Sequence, residues 1–151
     1  MLIDLDQVAE QSSTDYPAPF KALVAGRLRK RVGNAAGLTN FGVNLVTLLP
    51  GSSSALRHWH EKQDEFVYVI AGTPTLITSA GEQLMTPGMM AGFPAATDNG
   101  HHLVNRSDAP VVYLEIGDRT PDDIAHYPDD DLVAHHAENG YVFTRKDGSS
   151  Y

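Results

Sequence analysis

Two histidines one residue apart, His58 and His60 in the stretch RHWHEKQDEFVYVIAG, are the first residues of this sequence whose types and spacing could do chemistry. In an extended strand alternate side chains share a face, so the two imidazoles project together and Trp59 projects the other way. Two nitrogen ligands then converge on one point. Glu65 heads the apolar run that follows, and a turn through EKQD predicts a hairpin that returns it beside the histidines. A further nitrogen comes from NGHHLVNRSD, where either His101 or His102 can face inward but alternation forbids both. Three imidazoles and one carboxylate suit a borderline divalent ion (manganese, iron, nickel, cobalt or zinc) rather than magnesium or calcium, which prefer all-oxygen shells. A six-coordinate ion so held keeps two positions open for a substrate oxygen or for dioxygen. A lone His-x-His is more often a pair of solvated histidines on a strand face, so the surrounding elements must decide.

Those elements read as strands. FGVNLVTLLPG, EFVYVIAG, TPTLITSAG, EQLMTPGMMAGFP, GHHLVNRSD and APVVYLEIGD alternate β-branched and aromatic runs with Gly, Pro, Asn and Asp breaks. The pattern predicts an all-β sandwich or barrel, with a hairpin turn in SAGEQ around Gly81. Residues 2–10 fit a short helix or an added strand equally. Thr120-Pro121 followed by two aspartates has the chemistry of a helix start and predicts one or two helical turns there. The ending YVFTRKDGSSY adds a final strand.

Composition sets the outer limits. A chain of 151 residues has the length of one domain, and neither a repeat nor a linker divides it. Hydrophobic content of 42% and charged content of 20% are globular values. No apolar run approaches the roughly 20 residues needed to cross a bilayer. The start is acidic where a secretory signal would be basic, so a soluble cytoplasmic protein is expected. With no cysteine, thiolate metal sites, disulfides and cysteine nucleophiles are excluded. A net charge of −8 argues against general affinity for nucleic acid or anionic membranes. Within that acidic chain RLRKR, residues 27–31, is a basic island; a solvated strand face is its ordinary reading and a bound anionic small molecule its sharper one.

The segment from Gly51 to Gly72 resembles the first cupin motif: a glycine, His-x-His, then a glutamate, then a glycine, with one extra residue between Gly51 and His58. GEQLMTPGMMAGFPAATDNGHHLVN resembles the second, with Gly81, Pro87, Gly88, His101 and Asn105. It departs in the longer loop PAATDNG and in Met89, where an acidic residue often follows Pro-Gly. The resemblance selects His101 over His102 and implies a divalent transition metal on His58, His60, Glu65 and His101. It also implies a double-stranded β-helix, a jelly-roll barrel with short irregular or helical flanks, commonly assembled as a homodimer. The barrel core would occupy about 41–118, between an N-terminal extension, 1–40, and a tail, 119–151, all within one domain spanning 1–151.

Residues around the ligands carry weaker signals. Phe66, Tyr68 and Ile70 alternate with Val67 and Val69, so one face of that strand lines the barrel and the other packs on a sheet, a flank or a partner. Trp59 reads as packing. Arg57, Lys62, Arg29 and Tyr113 could reach a substrate from the rim or inner wall, although surface or structural roles are the commoner fate of such residues. Three functions compete: a metal-dependent enzyme of isomerase type acting on a small carbohydrate, sugar phosphate or keto acid; an iron- or nickel-dependent dioxygenase; and a non-catalytic ligand-binding or sensor module. In the first, the metal serves as Lewis acid while a base moves a proton, with Glu65 as a candidate base and Glu115 and Tyr113 as weaker ones. Enzyme is preferred to binding module, with a small molecule as the partner in either case.

Overall fold

The computed structural model describes residues 1–138 and 140–151. Three antiparallel sheets account for nearly all of its regular structure. The largest has the order β1-β2-β3-β10-β5-β8, built from Glu10–Gln11, Arg27–Lys30, Phe41–Leu48, Val111–Asp118, Glu65–Ala71 and Met90–Phe93. Opposite it lie a four-stranded sheet, β13-β12-β11-β4 (Gly140–Thr144, Leu132–Ala137, Ile124–Tyr127, Trp59–His60), and a three-stranded one, β7-β6-β9 (Gly81–Leu84, Thr75–Thr78, His102–Val104). The two smaller sheets are joined by an antiparallel bridge between His58 and His101. This is the jelly-roll arrangement the sequence predicts.

Strand pleating explains the core. On β3, β10 and β5 the register places Val46, Tyr113 and Val69 in one row and Leu48 beside Val111 in the next, all facing inward. With Val67, Met85 and Leu103 they form a buried cluster between the large sheet and the three-stranded one. A second cluster, Tyr16, Val24, Leu56, Ala125, Tyr127, Leu132 and Ala134, packs the N-terminal segment on the four-stranded sheet. Gly72, which ends β5, has φ +77°, and a Cβ there would lie 2.7 Å from the carbonyl oxygen of Pro110. Only glycine closes that turn without strain.

Several expectations resolve. Gly81 turns the β6–β7 hairpin, with Thr78 opposite it. Both readings of residues 2–10 are present in part, as a 3-10 turn over Leu5–Gln7 followed by β1, and the tail adds β13. The helix expected after Thr120 does not form. Asp118 accepts the Thr120 amide, residues 121 and 122 turn with Asp122 at φ +56°, and Ile124–Tyr127 becomes β11. The burial of Ala125 and Tyr127 shows the two-residue period of a strand, and pairing with β4 and β12 outweighs the helix-start chemistry.

The predicted hairpin from His60 to Glu65 is also replaced. β4 pairs with β11, whereas β5 pairs with β10 and β8, so residues 61–64 cross from one sheet to the other. The crossing is pinned at both ends: the Glu61 amide donates to Ile124, while Asp64 and Asp118 exchange hydrogen bonds. Glu65 therefore meets the histidines across the barrel rather than along a hairpin.

Candidate metal centre

His58, His60 and Glu65 each offer a ligand atom, all within 4.8 Å of one another. Around Oε2 of Glu65 stand Nε2 of His101 at 3.0 Å, of His58 at 3.4 Å and of His60 at 3.5 Å. The antiparallel bridge between His58 and His101 brings these two together from positions far apart in the chain. His102 faces away from Glu65 and places its Nδ1 2.9 Å from the carbonyl of Ala55. Strand alternation separates the two adjacent histidines as expected.

The other ring nitrogens fix what the cluster presents. Nδ1 of His58 lies 2.8 Å from the carbonyl of Leu56, which can only accept, so that nitrogen carries the proton. Nδ1 of His60 lies 2.5 Å from the buried carboxylate of Asp123, whose other oxygen accepts the Lys62 amide at 2.8 Å. In the neutral imidazoles both Nε2 atoms then expose lone pairs toward Glu65. His101 is held differently: Phe93 stacks on it at 3.5 Å with the rings 2° from parallel, and its buried Nδ1 has no partner.

The carboxylate oxygen at the centre has no hydrogen bond among the described residues. His101 approaches Oε2 closely but without hydrogen-bond geometry, leaving a buried, unsatisfied anion facing nitrogen lone pairs. A cation between them turns every one of these contacts attractive, and the nitrogen and oxygen donors are those of a borderline divalent ion. Burial alone would raise the Glu65 pKa, but the imidazoles of His101 and His58 reverse this and hold it well below the ordinary range. Burial disfavours the charged form of His60 as well; its hydrogen bond to Asp123 outweighs that, so its pKa is raised. At His101 burial prevails and the pKa is lowered.

A cavity of about 600 Å³ opens over the cluster. One wall is the inner face of the large sheet, carrying Arg29, Asn44, Tyr113 and Glu115 beside Glu65. The facing wall is aromatic, with Tyr16, Tyr127, Tyr141 and Phe143. Asn44 donates to Glu115 at 3.0 Å. In the row of Glu65 the neighbouring strands carry Gly117 and Gly42, so the floor beside the carboxylate is bare.

Other residues singled out in the sequence fall elsewhere. Arg57 is clamped to Asp129 at 2.6 and 2.8 Å, Trp59 stacks on His126 at 4.5 Å, and the Lys62 side chain is exposed. Asp123, Phe93 and Asn44 had no signal in the spacing. Asp123 and Asn44 act through contacts to residues 63 and 71 positions away, and Phe93 through a stack on His101.

Residues 44–117 match the family described as Cupin domain. A sugar phosphate isomerase of the cupin superfamily from Silicibacter pomeroyi is 46% identical, with a TM-score of 0.96, the match covering 100% of this chain and 96% of that one. A protein from Acidithiobacillus ferrooxidans is 28% identical, with a TM-score of 0.75, over 84% of this chain and 82% of its own. The oxalate decarboxylase OxdC of Bacillus subtilis is 32% identical over 126 residues, covering 74% of this chain and 32% of the enzyme. The chain spans about a third of that decarboxylase's length. The protein belongs to the cupin superfamily.

Proposed function

We propose that this cupin is a metal-dependent enzyme of isomerase type acting on a small carbohydrate, sugar phosphate or keto acid, with a divalent transition ion on His58, His60, Glu65 and His101. The observation that carries the reading is the Glu65 oxygen, buried without a hydrogen bond among three Nε2 atoms. Its likeness to the Silicibacter pomeroyi isomerase over the whole chain supports the reaction class. A bound ion would supply Lewis acidity, lowering the cost of negative charge on a substrate oxygen.

The chain's own residues supply the rest. Glu65, held well below the ordinary carboxylate range, is a weak base and serves as ligand. Glu115 shares the inner wall, lies outside the imidazole cluster and is oriented by Asn44, so we assign it the proton transfer. The aromatic wall limits water, and the glycine floor leaves room for a substrate beside Glu65.

Residues 1–151 act as one cytoplasmic domain in this reading. Phe66, Ile70 and Met90, exposed on the outer face of the large sheet, are where a second copy would pack to give a homodimer. Light scattering on the purified protein checks the dimer. For function, elemental analysis of purified and chelator-stripped protein comes first, followed by turnover of aldoses and ketoses in deuterated water. Metal-dependent deuterium incorporation that disappears in His60→Ala supports the isomerase. Stoichiometric iron with oxygen uptake would replace it by a dioxygenase, and ligand-dependent stabilisation without product by a binding module.

A further inference from the structure

The basic island is not a solvated strand face. β2 lies against β3 with Arg29 opposite Val46 and Arg27 opposite Leu48, and both of those partners face the core. Arg27 and Arg29 therefore project inward, and both line the cavity above the metal cluster. Such placement is unusual for arginine, which is seldom buried unless paired.

Neither arginine forms a salt bridge with the described carboxylates. Arg27 donates to the carbonyl of Ser54 at 2.5 Å, and Nε of Arg29 is buried without a partner among the described residues. In the same row as Arg29, two strands away, the hydroxyl of the fully buried Tyr113 also lacks a partner. Two unpartnered donors of one cavity share a row, and an acceptor is what both lack. Glu115, the carboxylate on the same wall, accepts from Asn44 and forms no salt bridge with either arginine. Tyr113 lines the same cavity as both arginines and Glu65.

We propose that Arg29, Arg27 and the Tyr113 hydroxyl form a subsite for an anionic group of the substrate, a phosphate or a carboxylate. The proposal rests on reading the cavity as a substrate site. It narrows the substrate to a small molecule with an anionic end on the arginine side and its reacting oxygen at the cluster. Guanidinium groups suit both oxyanions through paired N–H donors.

Titration calorimetry of the full chain with inorganic phosphate and with acetate, as purified and after chelator stripping, tests this. At least one anion should bind stoichiometrically to the stripped protein. Binding should weaken at least tenfold in Arg29→Gln and several-fold in Tyr113→Phe, with thermal midpoints confirming that both variants fold. Preference for phosphate identifies a phosphorylated substrate, and preference for acetate a carboxylate-bearing one. Failure of both anions to bind, or equal binding by Arg29→Gln, overturns the subsite. Metal content read on the same samples keeps the two readings apart: His101→Ala should lose metal and keep the anion, and Arg29→Gln the reverse.

Discussion

Along β3, β10 and β5 the same inner face serves two purposes. Toward one end it carries Val46, Leu48, Val69 and Val111, each fully buried in the core. Toward the other it carries Gly42, Asn44, Glu65, Glu115 and Gly117 around an open cavity. The strands and hydrogen-bond ladders are continuous between the halves, so the aliphatic end provides the rigidity that polar side chains at the other end cannot provide for themselves. A site with an unsatisfied buried carboxylate persists because the adjoining core holds its backbone in place.

The comparison breaks most sharply at the ligands. Glu65→Gln and His101→Ala should each weaken metal binding by more than about 100-fold, beyond what changes behind the ligands cost. Circular dichroism should show the barrel intact, because the aliphatic half is untouched; unfolding of either variant would show that the ion, not the core, holds the structure. In the other half, Leu48→Ala should cost about 2–5 kcal/mol in denaturant unfolding while the folded protein keeps its metal. Asp123→Asn tests the support behind His60 and should reduce metal affinity roughly 10–100-fold. An unchanged affinity would mean that the Asp123 contact merely fills space.

Two smaller effects refine the boundary. A Cβ at Gly117 would meet Glu65 Cγ at 3.7 Å and the Asp64 carbonyl at 3.6 Å, both ordinary contacts. Gly117→Ala should therefore change stability by no more than about 1 kcal/mol while lowering turnover by crowding the floor. Arg57→Ala removes the pair with Asp129 and the donations to Ser79 and the Gly100 carbonyl, so its unfolding free energy should fall by about 1 kcal/mol, with metal content unchanged.

The legible part of the site was local. Alternation put His58 and His60 on one face and allowed only one of His101 and His102 inward, and the resemblance to the second cupin motif selected His101. Asp123 was illegible because its partner is 63 positions away and its own neighbourhood resembles a helix start. For the arginines the sequence left a solvated face and a bound anion both open, for a related reason. RLRKR has no apolar alternation to mark an inward face, and only pairing with Val46 and Leu48 turns Arg29 and Arg27 toward the cavity.

By itself the sequence determined the strand rhythm, the ligand types and which neighbouring side chains oppose each other, because those follow from two-residue periodicity and side-chain chemistry. Only the tertiary structure decided that Glu65 arrives from the opposite sheet, that Asp123 stands behind His60 and that Arg29 and Tyr113 face a common cavity. These depend on which strands pair and where the chain crosses between sheets, and pairing energy is spread over many residues distant in sequence.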